Sequence, residues 1–167
     1  VLVTKVLADA GYTCGLAGKL HISPCHPDVC STMERRIDDG YGEFHWSHHA
    51  AGGWGEHNAY WAWLAERGAR FETAPRDDCP YVDHGMPEEL HQTTWRAKKA
   101  IDFMQAHASD ASPWLFSVNM FDPHSAFDPP DAYLERYLER LDEIPLPHYE
   151  EGELAGKPPY QAVDHER

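Results

Sequence analysis

Two short apolar runs, each preceded by a helical pattern and followed directly by polar residues, constrain the fold of this chain most strongly. The first run covers residues 12–18 and the second covers residues 114–120. Runs of this length between helices are typical of strands that are covered on both faces in the sheet of an α/β protein. If the two strands are parallel, their carboxyl ends lie at one sheet edge, where open α/β folds bind ligands. We therefore predict an α/β fold, a mostly parallel sheet flanked by helices, in which the two polar clusters meet.

The spacing of apolar residues predicts helices at residues 4–10, 58–68, 87–108 and 131–141. In the longest of these, Pro87 suits the first helical position. The stripe expected to face the core consists of Ala97, Ala100, Ile101, Met104 and Ala108. Residues 24–57 lack a sustained period and are expected to form loops with short structured pieces. Prolines among acidic residues predict an irregular tail over residues 143–167.

Composition limits the classes of function. The chain has 167 residues, enough for one domain, and 28 acidic against 14 basic side chains give a formal net charge of -14. A charge of this sign repels nucleic acids and anionic bilayers, so we expect neither as a partner. No apolar run approaches the roughly 20 residues of a membrane span. In such an acidic chain, the positions of the few cations become informative.

The two polar clusters carry the candidate binding residues. In residues 18–21 (GKLH), Lys19 and His21 are two positions apart, so in an extended segment both side chains point to the same side. In residues 122–130 (DPHSAFDPP), three prolines fix the backbone around His124. Taken singly, each cluster also fits a solvated lysine, a capping histidine or an ordinary proline-rich turn. Taken together, they predict that Lys19, His21 and His124 surround one small anion.

The same segments resemble the sulfatase family. Residues 7–13 (LADAGYT), leading into GKLH, are similar to the family segment L-x-x-x-G-Y-x-T followed by G-K-[WL]-H. Residues 122–130 are similar to P-H-x-P-F-x-x-P, with Ala126 where proline is common. Residues 87–95 and the helix after them resemble the region between the two motifs. The resemblance covers most of residues 1–140, is weakest at 25–85, and implies a partial alkaline-phosphatase-like sandwich fold.

The resemblance implies a role for each candidate residue. Lys19 corresponds to the lysine that holds the sulfate oxygens, and His21 to the histidine that contacts the formylglycine hydroxyl. His124 corresponds to the histidine near the sulfate and the leaving-group oxygen. Fixed donors of this kind stabilise the negative charge on a transferring sulfuryl group. The substrate implied is a sulfate-ester small molecule or a sulfated carbohydrate.

Two elements of the family pattern are missing from the sequence. The family nucleophile is a formylglycine made from a C/S-x-P-x-R motif upstream of G-K-x-H, and the segment that begins at Cys25 is downstream and lacks the arginine. The calcium ligands of the family are also incomplete, because Asp83-His84-Gly85 precedes His124 and is expected to be a loop. We therefore expect residues 1–167 to be part of a longer catalytic domain. The parent would use formylglycine and Ca²⁺, and this chain alone would be inactive.

Two other functions remain open on the sequence. One is a phosphonate or phosphate monoester hydrolase of the same superfamily, since tetrahedral oxyanions make similar demands on a site. The other is a noncatalytic module that binds carbohydrate or metal through its loops rich in histidine and tryptophan. The possible zinc ligands, whose spacing matches no standard zinc site, are Cys25, His26, Cys30, His45, His48, His49 and His57.

Overall fold

A three-stranded parallel sheet with helices beside it is the main feature of the computed structural model, which describes residues 1–30, 32–51 and 54–165. The strands are β1 (Thr13–Gly18), β2 (Glu43–Trp46), β3 (Ala74–Pro75), β4 (Asp83–His84) and β5 (Trp114–Asn119). The helices are α1 (Val3–Asp9), α2 (Ala59–Ala65), α3 (Gln92–Ala106), α4 (Asp131–Leu138) and α5 (Pro159–His165). The predicted α/β class is confirmed, and the architecture is consistent with part of an alkaline-phosphatase-like fold.

Strand β1 lies between β2 and β5, in the order β2-β1-β5. It is parallel to both neighbours, and its register with β5 runs from Thr13 opposite Trp114 to Gly18 opposite Asn119. The two predicted strands therefore end side by side. Because a parallel sheet places all its carboxyl ends at one edge, the residues that follow β1, β2 and β5 emerge close together.

Strand β2 was not predicted as a strand. Its four residues alternate between polar and aromatic side chains, and its register places Gly15 of β1 opposite Glu43. Four residues are too few for periodicity to distinguish a strand from a loop. Pairing with the buried β1 stabilises this conformation, so tertiary contacts rather than local sequence determine β2.

Helix α3 differs from its prediction at both its start and its buried face. A separate 3₁₀ turn at Glu88–Leu90 precedes it, and His91 caps the helix by accepting a hydrogen bond from the backbone N–H of Thr93 at 3.2 Å. Within the predicted stripe, Ile101 and Met104 remain 48% and 41% exposed. The residues that α3 buries are Gln92, Trp95, Arg96, Ala100 and Phe103. Two of these are polar, so hydrophobic periodicity misplaced the face.

Strand β5 is less covered than predicted. Trp114 and Val118 each retain 38% exposure, whereas Leu16 in the central strand is fully buried. Phe103 of α3 packs against both Trp114 and Phe116, with ring centroids 5.9 and 4.7 Å apart. Among the described residues β5 pairs only with β1, which makes it an edge strand, and the helix covers only part of its length.

Helix α2 begins where the sequence predicted. Asn58 is its capping residue and accepts a hydrogen bond from the backbone N–H of Tyr60 at 3.1 Å. This helix supplies aromatic side chains to one of the hydrophobic clusters. The buried members of that cluster are Ala50, Tyr60, Trp63, Leu64, Met86 and Trp95. The aromatic density of this region therefore serves mainly packing.

The chain divides into a compact unit of residues 1–134 and a second unit from Glu135 onward. The second unit contains 3₁₀ turns at Leu141–Glu143 and Glu153–Gly156, followed by α5. The prediction of an irregular tail was therefore wrong at α5. Pro159 occupies the start of this helix, a position where proline is tolerated because its missing N–H has no partner there. None of the helices in the described part of the chain is long and apolar enough to cross a membrane.

Candidate active site

A cavity of about 200 Å³ lies where the segments after β1, β2 and β5 meet. Its lining residues are Lys19, His21, Cys25, His26, Pro27, His48, Trp54 and His124. The structure thus brings together Lys19, His21 and His124, the three site residues predicted from sequence. It adds His48 and Trp54 from the segment after β2. Among the described residues that line it there is no carboxylate, so the cavity is suited to an anion.

Lys19 carries the one permanent positive charge among the described residues of the lining. Its Nζ lies 5.4 Å from the centroid of the Phe121 ring, and its backbone oxygen accepts a hydrogen bond from Asn119 Nδ2 at 2.8 Å. Within the described ranges no carboxylate lies at ion-pair distance from Lys19, whereas Lys5 is paired with Asp9. Because Lys19 contacts the Phe121 ring and no described carboxylate neutralises its charge, it is available to bind an anion.

The backbone conformation that brings His21 to the cavity differs from the one predicted from the sequence. Its backbone has a φ of 55°, in the left-handed region, so the expected extended segment is wrong. The fully buried carboxylate of Glu34 stabilises the backbone at His21 and Ile22. It accepts hydrogen bonds from the backbone N–H groups of His21 at 2.6 Å and Ile22 at 3.2 Å, and from Trp46 Nε1 at 3.0 Å. Glu34 therefore positions His21 relative to the end of β2.

Replacing Glu34 by glutamine should destabilise the fold. One carboxylate oxygen would become an NH₂ group and would face a backbone or indole N–H without an acceptor. We expect a loss of about 1–3 kcal/mol in the free energy of unfolding, measured in urea. Glu66→Gln, on the exposed end of α2, is the matched control and should change stability by less than about 0.5 kcal/mol. Equal stabilities of the two variants would contradict this role.

His124 presents one ring nitrogen for chemistry. Its Nδ1 lies 2.6 Å from the backbone oxygen of Ser125, and a carbonyl oxygen only accepts, so Nδ1 carries a hydrogen. The Nε2 atom is then the nitrogen left to gain or lose a proton. The ring packs against Phe121 at a centroid distance of 4.9 Å, and the side chain is exposed. An accessible imidazole held in this way can donate a proton to a bound group.

His48 is one of the cavity residues that sequence analysis missed, since it entered only as a possible zinc ligand. Its ring contacts Trp54 and Phe121, with centroid distances of 4.6 and 5.3 Å. Burial, followed by the positive charges of Lys19 and His21, lowers the pKa of His48 to about 4. The unfolded chain binds this proton near pH 6.5, so the contribution of His48 to stability decreases as the pH falls from about 6.5 toward 4.

A second histidine links the segment after β2 to the His124 segment. The backbone N–H of Ala51 donates to His49 Nδ1 at 3.1 Å, so the hydrogen of the neutral ring is on Nε2. That nitrogen lies 3.4 Å from Oδ1 of the buried Asp128, four residues beyond His124. The ring of His49 also packs on Phe121 at 4.9 Å. His49 therefore helps to position His124, because it contacts Phe121 and Asp128, which lie before and after His124 in the same loop.

The other sequence candidates lie in different surroundings. Asp83 and His84 form β4 rather than the predicted loop, and His84 Nδ1 lies 2.8 Å from Asp131 Oδ1. No group of three or more His, Cys, Asp or Glu side chains in the described part of the chain is arranged to hold a metal ion.

A larger cavity of about 550 Å³ beside α2 is mainly apolar, with Trp61 and Phe71 in its wall. Arg70 is the one titratable side chain among its described lining residues, in contrast to the cluster in the smaller cavity.

Comparison with known proteins gives one informative similarity. No family model matches the chain. The chain is 26% identical over 154 residues to an arylsulfatase of Clostridium perfringens (strain 13 / Type A). The match covers 87% of this chain and 31% of the arylsulfatase, so the chain spans about a third of the length of the relative it matches. The similarity supports a distant, sulfatase-like relation and agrees with the resemblance carried by the residues of the cavity.

Proposed function

We propose that this chain forms the oxyanion-binding part of a sulfuric-ester hydrolase. The observation that carries the proposal is the convergence of Lys19 with His21 and His124 in one cavity, where the described lining includes no carboxylate to neutralise the lysine. These three residues come from two distant motifs, and both motifs follow parallel strands of the same sheet. The similarity to an arylsulfatase supports sulfate chemistry over other uses of an anion site.

The proposed reaction is transfer of a sulfuryl group from an ester. A nucleophile attacks sulfur, the bond between sulfur and the ester oxygen breaks, and the departing oxygen takes up a proton. Lys19 would hold the peripheral sulfate oxygens, where negative charge is concentrated during transfer. His124 would deliver the proton from Nε2 to the leaving oxygen. His21 would orient the attacking group, which the sequence resemblance identifies as a formylglycine hydroxyl.

Formylglycine and Ca²⁺ enter the proposal only as parts of the longer parent protein. The cavity described here does not fit calcium, because Ca²⁺ prefers several oxygen ligands and the titratable groups in this lining are lysine, cysteine and histidine. Neither group is therefore assigned to residues of this chain. What this chain would supply is anion binding and proton donation.

A phosphonate monoester is the second candidate substrate. The lining, as far as the structure describes it, contains one permanent cation, Lys19, and the histidines add charge only when they are protonated. A single cation matches a singly charged tetrahedral ester, and both sulfate monoesters and phosphonate monoesters carry one negative charge. A phosphate monoester carries about two charges at neutral pH. The cavity therefore favours the two monoanions over phosphate monoesters.

The experiment that tests the proposal compares these anions directly. The complete protein that carries this sequence would be assayed with 4-nitrophenyl sulfate, 4-nitrophenyl phenylphosphonate and 4-nitrophenyl phosphate. We expect the highest kcat/KM with the sulfate ester. A preference for the phosphonate would assign the second candidate function. Absence of hydrolysis of all three esters, together with carbohydrate or metal binding, would identify a noncatalytic module instead.

Replacing His124 by alanine should affect substrates according to their leaving groups. An alkoxide is a poor leaving group and needs a proton, so kcat for alkyl sulfates should fall on the order of 10²-fold. An activated phenol such as 4-nitrophenol leaves without full protonation, and its rate should change by less than about fivefold. His148→Ala, an exposed histidine outside the cavity, serves as the control. An equal loss with both substrates would instead assign His124 to sulfate binding.

A further inference from the structure

His48 lines the cavity, yet the chemistry proposed above gives it no role. Its Nδ1 atom is buried and has no hydrogen-bond partner among the described residues. The ring is fixed in place by Trp54 and Phe121, and the backbone oxygen of His48 accepts a hydrogen bond from Gln92 Nε2 at 2.6 Å. A fixed ring with an unsatisfied nitrogen at the wall of a ligand cavity calls for an explanation.

The surroundings of His48 favour one tautomer. A neutral imidazole has one N–H and one lone pair, and burying an N–H without an acceptor is rarer than leaving a lone pair unused. Trp54, whose ring contacts His48, is 6% exposed and also buries its Nε1 without a partner in the described part of the chain. The buried Nδ1 of His48 has no acceptor among the described residues to receive a hydrogen, so the lone pair is the favoured state of this nitrogen. The hydrogen of His48 is then on Nε2.

We propose that His48, in its neutral Nε2–H form, donates a hydrogen bond to an oxygen of the tetrahedral anion that Lys19 binds. This inference rests on the proposed function and adds a third strand end to the anion site, since His48 follows β2 while Lys19 follows β1 and His124 follows β5. Its role is to bind and orient the anion rather than to transfer a proton.

The charges around His48 fit a donor that stays neutral. Its neighbours Lys19, His21, His124 and His49 are all basic, and together with burial they disfavour a further proton on the ring. His48 therefore donates one hydrogen bond throughout the range in which an ordinary histidine titrates. A site built in this way retains one neutral donor to the anion.

Two substitutions of His48 distinguish the effect of losing its Nε2–H donor from the effect of losing its ring. Gln places an amide nitrogen near the Nε2 position, whereas Phe keeps the ring and removes the donor. Sulfate ion is the probe, titrated into the wild-type chain and its variants and followed by NMR chemical shifts. We expect His48→Phe to weaken sulfate binding about tenfold and His48→Gln to remain within about threefold of wild type. Lys19→Ala is measured in parallel as the test of the anion site itself.

A second measurement does not depend on the folding of any variant. The ¹⁵N shifts of the His48 ring in the wild-type chain should show the Nε2–H tautomer from about pH 5 to 8. An Nδ1–H tautomer would overturn the inference.

The binding data separate the inference from the proposed function. Unchanged sulfate binding in His48→Phe, with weaker binding in Lys19→Ala, rejects the role of His48 and leaves the proposed function intact. The reverse pattern supports His48 as an anion donor and contradicts the proposed role of Lys19. Absence of sulfate binding by the wild-type chain contradicts both.

Discussion

Replacing Lys19 by alanine is expected to lower kcat for every sulfate ester by about 10²–10³-fold in the complete protein that carries this sequence. Removal of one preorganised charge-stabilising donor typically has this effect. The loss should not depend on the leaving group, because Lys19 acts on the sulfate oxygens that all substrates share. Among the described residues that line the cavity no other side chain is permanently cationic, so none of them can replace the lost charge.

Lys98 provides a matched control for Lys19. Its Nζ lies 5.6 Å from the centroid of the Trp63 ring, so it makes a similar contact with an aromatic face but does not line the cavity. Lys98→Ala should therefore leave kcat within about twofold of wild type. Steady-state kinetics with an aryl sulfate and an alkyl sulfate tests both variants. Equal effects of the two substitutions would show that Lys19 stabilises the fold rather than the reaction.

The meeting of Lys19 and His124 was predictable because it depends on topology. Each residue follows an apolar run that forms a strand, and parallel strands of one sheet align their carboxyl ends. The sequence distance of more than 100 residues is irrelevant once β1 and β5 are neighbours. The helices were predictable to within a few residues where a clear signal was present, such as the cap at Asn58.

The positions of several other residues at or near the site could not be predicted from the sequence. Glu34 looks like any acidic loop residue, yet three donors from two segments converge on its buried carboxylate. His48 lies among several histidines without periodicity, and only the pairing of β2 with β1 brings it to the cavity. Arg96 is fully buried on α3 and donates to Ser47 Oγ at 3.2 Å, so a pattern based on hydrophobicity excluded it from the core face. In all three cases long-range polar contacts determine the position.

Replacing Gly18 by alanine is expected to destabilise the sheet at the point where the site begins. Gly18 has a φ of 120°, which L side chains rarely adopt, and a Cβ atom there would lie 2.0 Å from the backbone oxygen of Asn119. Asn119 is the partner of Gly18 in the β1–β5 register, so the clash cannot be relieved without separating the strands. Backbone strain of about 1–3 kcal/mol and overpacking of about 1–3 kcal/mol together predict a loss of roughly 2–6 kcal/mol.

Gly11→Ala isolates the contribution of strain. Gly11 has a φ of 92°, but no atom of the described residues lies within 4 Å of the position that its Cβ would occupy. This variant should lose only the strain energy, about 1–2 kcal/mol. Urea unfolding followed by circular dichroism measures both variants, and Gly18→Ala should either unfold at a much lower urea concentration or lack structure in buffer. Because Lys19 follows Gly18 directly and its backbone oxygen is bound by Asn119, separation of the strands should also abolish sulfate binding. A Gly18→Ala chain as stable as Gly11→Ala would show that the strand ends are not packed as closely as described.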